Sequence, residues 1–117
     1  MHEASIMQQV FDLAFEHQSR HPGSCIVRLR LRAGDLAGVI PEALCFAFEA
    51  MKPNTPAERA ELEIERVPAL LHCRACDRDF EPFEFPSACH SCGAWQTEVQ
   101  RGTELELARI EMESAEM

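Results

Sequence analysis

Tyrosine is absent from the 117 residues and tryptophan occurs once, so side chains on which nucleic-acid bases could stack are scarce. No run approaches 18 apolar residues, and the first residues lack the basic-then-hydrophobic order of a signal peptide. Neither a membrane span nor secretion is expected, which leaves a cytoplasmic protein as the default. Positive charge is also short. Eleven Lys and Arg stand against twenty Asp and Glu, a formal net charge of −9, with no basic patch to draw in a phosphate backbone. Nucleic acid and membrane are therefore not expected partners. The chain also has no paired-carboxylate, triad or phosphate-loop constellation, so no enzyme is expected.

What is present fits one globular domain, or one domain with a small appendage. Apolar types make up 46% and charged types 26% of the 13.2 kDa chain. Residues 4–18 read as a helix: Ile6, Val10, Leu13 and His17 recur at spacings of three to four, and Met7, Phe11 and Ala14 widen the stripe. Residues 20–24 (Arg-His-Pro-Gly-Ser) break it. From Val27 to Ala33, apolar Val27, Leu29, Leu31 and Ala33 alternate with Arg28, Arg30 and Arg32, which predicts a strand with three arginines on one face. Pro41 suits the first position of a second helix running to about Met51 and burying Leu44, Ala47, Phe48 and Met51. Thr55-Pro56-Ala57-Glu58 has the form of a capping box. It opens one turn only, because Ala60, Leu62 and Ile64 then alternate with Glu61, Glu63 and Glu65 as a second strand. From Glu104 to Met112, strand character returns in two phases, Leu105 and Leu107 against Ala108, Ile110 and Met112. A bulge near Leu107–Ala108, or a strand that changes partners, reconciles them.

Residues 69–102 have a different texture, with little periodicity and four of the six cysteines. Cys73, Cys76, Cys89 and Cys92 form two C-x-x-C pairs, and each pair lets one tight turn present two sulfurs to the same ion. Four thiolates match tetrahedral zinc or iron, and a segment of this size needs such a staple because it cannot build an adequate core. Structural zinc is the expected occupant. A closed tetrathiolate has no open position to activate water, so the site reads as scaffold. His72 precedes the first knuckle and His90 lies inside the second. They read either as solvent-facing residues or as pH-sensitive neighbours that approach the zinc. Cys25 and Cys45 stand alone and read as small packing residues.

This order predicts an α+β fold: two helices packed on a three-stranded sheet, with an inserted zinc ribbon stapled by the four cysteines. Residues 1–68 and 103–117 would form one discontinuous domain and residues 69–102 the other.

Met1-His2-Glu3 combines three kinds of nitrogen in one place. The free α-amine of Met1, an adjacent amide nitrogen and the His2 imidazole can close five- and six-membered chelate rings around one ion. Planar, nitrogen-rich coordination suits Ni(II) and Cu(II) rather than zinc. A solvated terminal histidine is the plainer alternative.

Taken together these segments resemble the HypA/HybF family of hydrogenase-maturation nickel metallochaperones. The opening Met1-His2-Glu3 with Ser5 on the first helix carries the likeness. So do Arg32-Ala33-Gly34-Asp35-Leu36-Ala37-Gly38-Val39, the helix Pro41-Glu42-Ala43-Leu44-Cys45-Phe46-Ala47-Phe48, and Thr55 through Glu65. The cysteine quartet with Gly93, and Gly102-Thr103-Glu104-Leu105, complete it, so the likeness spans essentially the whole chain. The resemblance implies a nickel domain of two helices on a three-stranded sheet, with the zinc ribbon inserted before the last strand. It implies Ni(II) as transported cargo, held by the His2 imidazole and backbone nitrogens that include the amine of Met1 and the nitrogen of Glu3. It further implies work with the GTPase HypB, delivery to the [NiFe]-hydrogenase large-subunit precursor and, in some organisms, service to urease maturation, as a monomer or homodimer. Three positions depart from the pattern: Ile40 stands where many members have an acid, the second knuckle is Cys-His-Ser-Cys, and His72 replaces an aromatic. Two surfaces offer docking for a partner, the acidic strand face Glu61, Glu63, Glu65 and the first helix, and the helix with His2 at its root is preferred because it sets the metal beside the interface. The alternative function is a zinc-ribbon adaptor that recruits partners without carrying nickel.

Overall fold

A computed structural model describes residues 2–114. Helix α1 (Glu3–Ser19) leads into strand β1 (Ser24–Gly34), helix α2 (Pro41–Met51) and strand β2 (Glu61–Val67). Three short strands follow, β3 (Leu70–Cys73), β4 (Arg78–Phe80) and β5 (Thr97–Arg101), before the long β6 (Leu105–Ser114). Two three-stranded sheets result, one ordered β2-β1-β6 and the other β4-β3-β5. The two helices pack on the first sheet, which gives the expected α+β architecture with its four-cysteine insertion. Among the described residues, no helix is long and apolar enough to cross a membrane.

The core lies between the helices and the first sheet. Ile6, Met7, Val10, Phe11 and Ala14 of α1 meet Leu44, Ala47 and Phe48 of α2, and Ile26, Leu29 and Leu31 rise from β1 to fill the space between. The buried stripe of α1 is displaced from the expected one. Leu13 is 52% exposed and His17 is exposed. The cause is that α1 has two neighbours, the sheet and α2. The Phe11 ring sits 5.6 Å from Phe48 and stacks at 5.2 Å on Phe15, which turns the helix toward α2 and opens the Leu13 flank. On α2, Leu44, Ala47 and Phe48 are buried as expected, while Met51 is half-buried at the helix end.

Strand β1 pairs in parallel with β2 and antiparallel with β6. Two irregularities adjust its faces. Arg30 pairs with Arg109 and Leu31 with Leu107, so Ala108 is the extra residue of a bulge, at the place the two phases of β6 required. It lets Leu105, Leu107, Ile110 and Met112 all pack toward the core. The second irregularity corrects the sequence reading. Ile26 pairs with Met112 and Arg28 with Glu111, leaving Val27 as an extra residue. The phase flips there, so Ile26 is fully buried and Val27 is only half-buried.

On the opposite face the arginines of β1 meet glutamates from both sides. Arg28 Nε lies 3.0 Å from Glu63, Arg30 Nη2 3.0 Å from Glu63, and Arg32 lies 3.4 Å from Glu65 and 3.0 Å from Glu106. The row Glu61, Glu63, Glu65 is therefore a partner for the chain's own arginines rather than an open acidic face. Parallel in-register pairing produces this, because Arg28, Arg30 and Arg32 sit beside Glu61, Glu63 and Glu65.

The capping-box residues make a single turn before β2. Thr55 Oγ1 accepts from the Ala57 N–H at 3.1 Å, and Glu58 accepts from the Asn54 N–H at 2.9 Å. The segment after β1 clasps both crossings between the sheets. Gly34 N–H donates to Glu104 O at 2.6 Å, Asp35 N–H to Val67 O at 3.0 Å and Leu36 N–H to Gly102 O at 2.7 Å.

Candidate metal centres

Cys73 ends β3, and the chain turns at once. Asp77 N–H donates to Cys73 O at 2.8 Å, with Asp77 in the left-handed region at φ 58°. The second knuckle repeats the device: Gly93 N–H donates to Cys89 O at 2.9 Å, with Gly93 at φ 76°. Two similar turns thus meet at the end of the sheet where β3 finishes. Their four sulfurs lie within 4.8 Å of one another, with Cys73–Cys92 at 3.6 Å and Cys76–Cys89 at 3.7 Å. A tetrahedron with metal–sulfur bonds of about 2.3 Å has edges of about 3.8 Å. These separations exceed a disulfide bond of about 2.05 Å by far. The donor set fits one tetrahedral metal ion.

The thiols are not equivalent. Burial, aided by a hydrogen bond with Cys89, pushes Cys76 up to about 12. The backbone N–H groups of Cys92 and Ser91 hold Cys89 down to about 6, and the Ser91 N–H lies 3.4 Å from its sulfur. The second knuckle thus presents a thiolate readily, and a divalent ion must displace the remaining protons.

The flanking histidines have other contacts. His72 Nδ1 is 2.6 Å from Asp79, its cross-strand partner, and Nε2 is 3.1 Å from Asp77. The hydrogen bond to Asp79 raises the imidazole above its ordinary pKa. The His90 ring lies 4.7 Å from Phe80 and stacks at 4.8 Å on Phe83. Cys25 is half-buried and Cys45 exposed on α2.

At the other candidate centre, His2 is the extended residue preceding α1, with φ −89° and ψ 135°, and it is exposed. Its carbonyl accepts from the N–H groups of Ser5 and Ile6 at 3.0 and 3.2 Å. Glu3 opens the helix, so its own N–H has no carbonyl four residues earlier to bond. Its carboxylate turns to the second helix, where Oε2 accepts from the Ile40 N–H at 3.3 Å. Met1, whose amine the sequence reading places among the nickel ligands, lies outside the described residues. The sequence carried no sign of the Glu3–Ile40 contact, which spans 37 positions. The His72–Asp79 pair was in principle legible, since a hairpin across the first knuckle brings the two together.

A small α+β protein whose insertion brings four cysteine sulfurs together is of the class built to hold a metal ion. The family model described as "Hydrogenase/urease nickel incorporation, metallochaperone, hypA" matches residues 1–112. A hydrogenase maturation factor HypA from Picosynechococcus sp. is 40% identical over 112 residues, covering 96% of this chain and 99% of that protein. One from Geotalea uraniireducens is 37% identical over 113 residues, covering 97% and 100%. The solution structure of a HypA protein shares the fold, with a TM-score of 0.71 at 25% identity, covering 99% of this chain and 98% of that one. The solution structure of the Ni metallochaperone HypA from Helicobacter pylori gives a TM-score of 0.67 at 24% identity, covering 97% and 99%. The chain belongs to the HypA family, whose members are metallochaperones and not enzymes.

Proposed function

We propose that this protein carries Ni(II) on the nitrogens of Met1-His2-Glu3 and delivers it, with the GTPase HypB, to the [NiFe]-hydrogenase large-subunit precursor in the cytoplasm. Delivery toward urease is a second outlet of the same chemistry. Residues 1–68 and 103–117 serve as the nickel domain, and residues 69–102 as a zinc domain held by Cys73, Cys76, Cys89 and Cys92.

The observation that supports the nickel reading most is the start of α1. An exposed imidazole sits one residue before a helix whose first N–H has no intrahelical acceptor. A backbone nitrogen there can lose its proton to a metal without breaking a helical hydrogen bond. The Met1 amine, the His2 amide nitrogen and the His2 imidazole close adjacent five- and six-membered chelate rings in one plane, with the Glu3 nitrogen able to take the amine's place beside the His2 amide. Such a site suits a carrier: it has few ligands and lies at a chain end that can rearrange at little cost. The α-amine has a reference pKa near about 7.7–8.0, so at neutral pH a proton competes for it and keeps the hold reversible. The tetrathiolate site, by contrast, is closed and suits a resident ion that braces the insert.

The test is a calorimetric and visible-spectrum titration of Ni(II) into zinc-loaded protein that begins at Met1, alongside His2→Ala and a form extended before Met1. One nickel per chain, lost in both altered forms while zinc is retained, is the expected result. Equal binding by all three moves the site elsewhere. No specific binding by any leaves a zinc-stapled adaptor.

A further inference from the structure

We propose that the cleft between residues 81–88 of the insert and the end of β1 is a docking site for another protein, one that presents an arginine between apolar side chains. The inference does not depend on the nickel reading. Among the described residues seven large hydrophobic side chains stand exposed, and four of them, Phe83, Phe85, Trp95 and Val99, belong to the insert. The insert is less than a third of the chain, so exposure is concentrated there. Phe83 is 95% exposed and Phe85 53%. Exposed rings gathered in one segment mark an interaction surface, whereas single exposed apolar residues do not.

The rings are held before any partner arrives. Phe83 stacks on the His90 ring at 4.8 Å, and His90 lies 4.7 Å from Phe80 of β4, so the outer ring is oriented from behind. Phe83, Glu84 and Phe85 make one wall of a cleft of about 370 Å³, and Asp35, Leu36 and Ala69 make the other. That second wall is fixed by the bonds from Asp35 N–H to Val67 and from Leu36 N–H to Gly102. The cleft has room for one long side chain and not for a helix.

Charge decides what enters. Residues 77–84 carry Asp77, Asp79, Glu81 and Glu84 against Arg78 alone. Asp77 and Asp79 are engaged by His72, but among the described residues Glu81 and Glu84 have no ion pair or side-chain hydrogen bond. An aromatic face beside a free carboxylate suits a guanidinium, which is planar enough to stack on the ring and forked enough to bond the carboxylate. A second copy of this chain is a poor source of it. Arg28, Arg30 and Arg32 are already held by glutamates, and two chains of net charge −9 repel each other. The same carboxylates repel an anionic lipid surface.

The test uses the full zinc-loaded chain, isotope-labelled, with the peptide Ser-Leu-Arg-Leu-Ser as probe and its Lys and Gln counterparts beside it. Amide chemical shifts are followed during titration. The Arg peptide should shift Leu36, Ala69, Phe83, Glu84 and Phe85 along saturating curves, while the Lys peptide binds about threefold more weakly and the Gln peptide does not saturate. Phe83→Ala and Glu84→Gln should each weaken the Arg peptide about fourfold, the size expected for one exposed contact to a charged group. Both side chains are exposed, so each variant should keep its zinc and the wild-type spectrum elsewhere. Phe46→Ala, exposed on α2, should bind as the wild type does. Equal affinity for the three peptides, or wild-type affinity in Phe83→Ala and Glu84→Gln, overturns the proposal. Vesicles of phosphatidylcholine and phosphatidylglycerol that sediment the wild type but not Phe83→Ala make the loop a membrane contact. Self-association in the ultracentrifuge that is lost in Phe83→Ala makes it a contact between copies. Either result overturns the proposal as well.

Discussion

Gly34 sits where the chain can least accept a methyl group. A Cβ built there would lie 1.9 Å from the carbonyl oxygen of Gly102, 2.1 Å from its carbon and 2.7 Å from the Thr103 nitrogen. All three are backbone atoms, so no rotamer change relieves the clash. Restoring ordinary contact means moving β1 and the returning chain apart by more than about 1 Å. That movement breaks the clasp in which Gly34 donates to Glu104 at 2.6 Å and Leu36 to Gly102 at 2.7 Å. Overpacking costs about 1–3 kcal/mol and each lost hydrogen bond about 1 kcal/mol, so Gly34→Ala should cost about 3–5 kcal/mol. Against a total stability of about 5–15 kcal/mol this is a large fraction. Urea denaturation of the zinc-loaded protein, followed by circular dichroism, should show the midpoint falling by about 2 M at unchanged slope. Gly38→Ala is the control. Gly38 adopts φ +78°, and a methyl group added to it would meet nothing within 4 Å, so the variant should lose only about 1–2 kcal/mol through backbone strain. A Gly34→Ala midpoint no lower than that of Gly38→Ala would refute the close-approach reasoning.

The bulge in β1 predicts an inversion of the simple alternation: Ile26→Ala should cost about 3–4 kcal/mol and Val27→Ala about 1 kcal/mol by the same assay. Equal losses would place the phase change elsewhere. Glu104 predicts acid sensitivity. Its own N–H and that of Gly102, 2.8 Å from Oε1, hold its pKa below the usual carboxylate value. A depressed folded pKa means stability present above the unfolded value and lost as pH falls through the folded one. Glu104→Gln should therefore flatten the stability–pH curve between about pH 5 and the folded pKa, and a wild-type slope in that variant would count against the assignment.

Local chemistry was readable where one residue type has one dominant use. Pro41 marked the first residue of α2, and the conflict of phase between Leu107 and Ala108 marked a bulge because β6 has a single partner over its length. The paired cysteines marked a metal centre because the turn that joins each pair leaves their sulfurs little freedom. Quantities set by distant neighbours were not readable. Whether Leu13 or Phe11 faces inward depends on where α2 lies, and α2 is placed by Phe48. The bulge at Val27 left no trace, since Ile26 and Val27 are both β-branched and apolar and either phase looks equally good. The glutamates of β2 looked like an open acidic face because nothing local reports that β2 runs parallel to β1. Once it does, each glutamate falls beside an arginine, and most of the face's charge is internally balanced.

The two candidate centres differ in what the fold invests in them, and that difference bears on the proposed handover. The four thiols come from two turns at one end of a sheet of three short strands, and Leu71 with Cys73 and Cys89 provides much of what is buried there. On the proposed reading an ion at that place braces the folded insert, so removing it should loosen the sheet. His2 lies outside the core cluster, and its carbonyl bonds to Ser5 and Ile6 involve neither its ring nor the Glu3 nitrogen. An ion at that place can leave without disturbing a buried side chain. On the proposed reading, retention and release are therefore separated by burial rather than by metal preference alone.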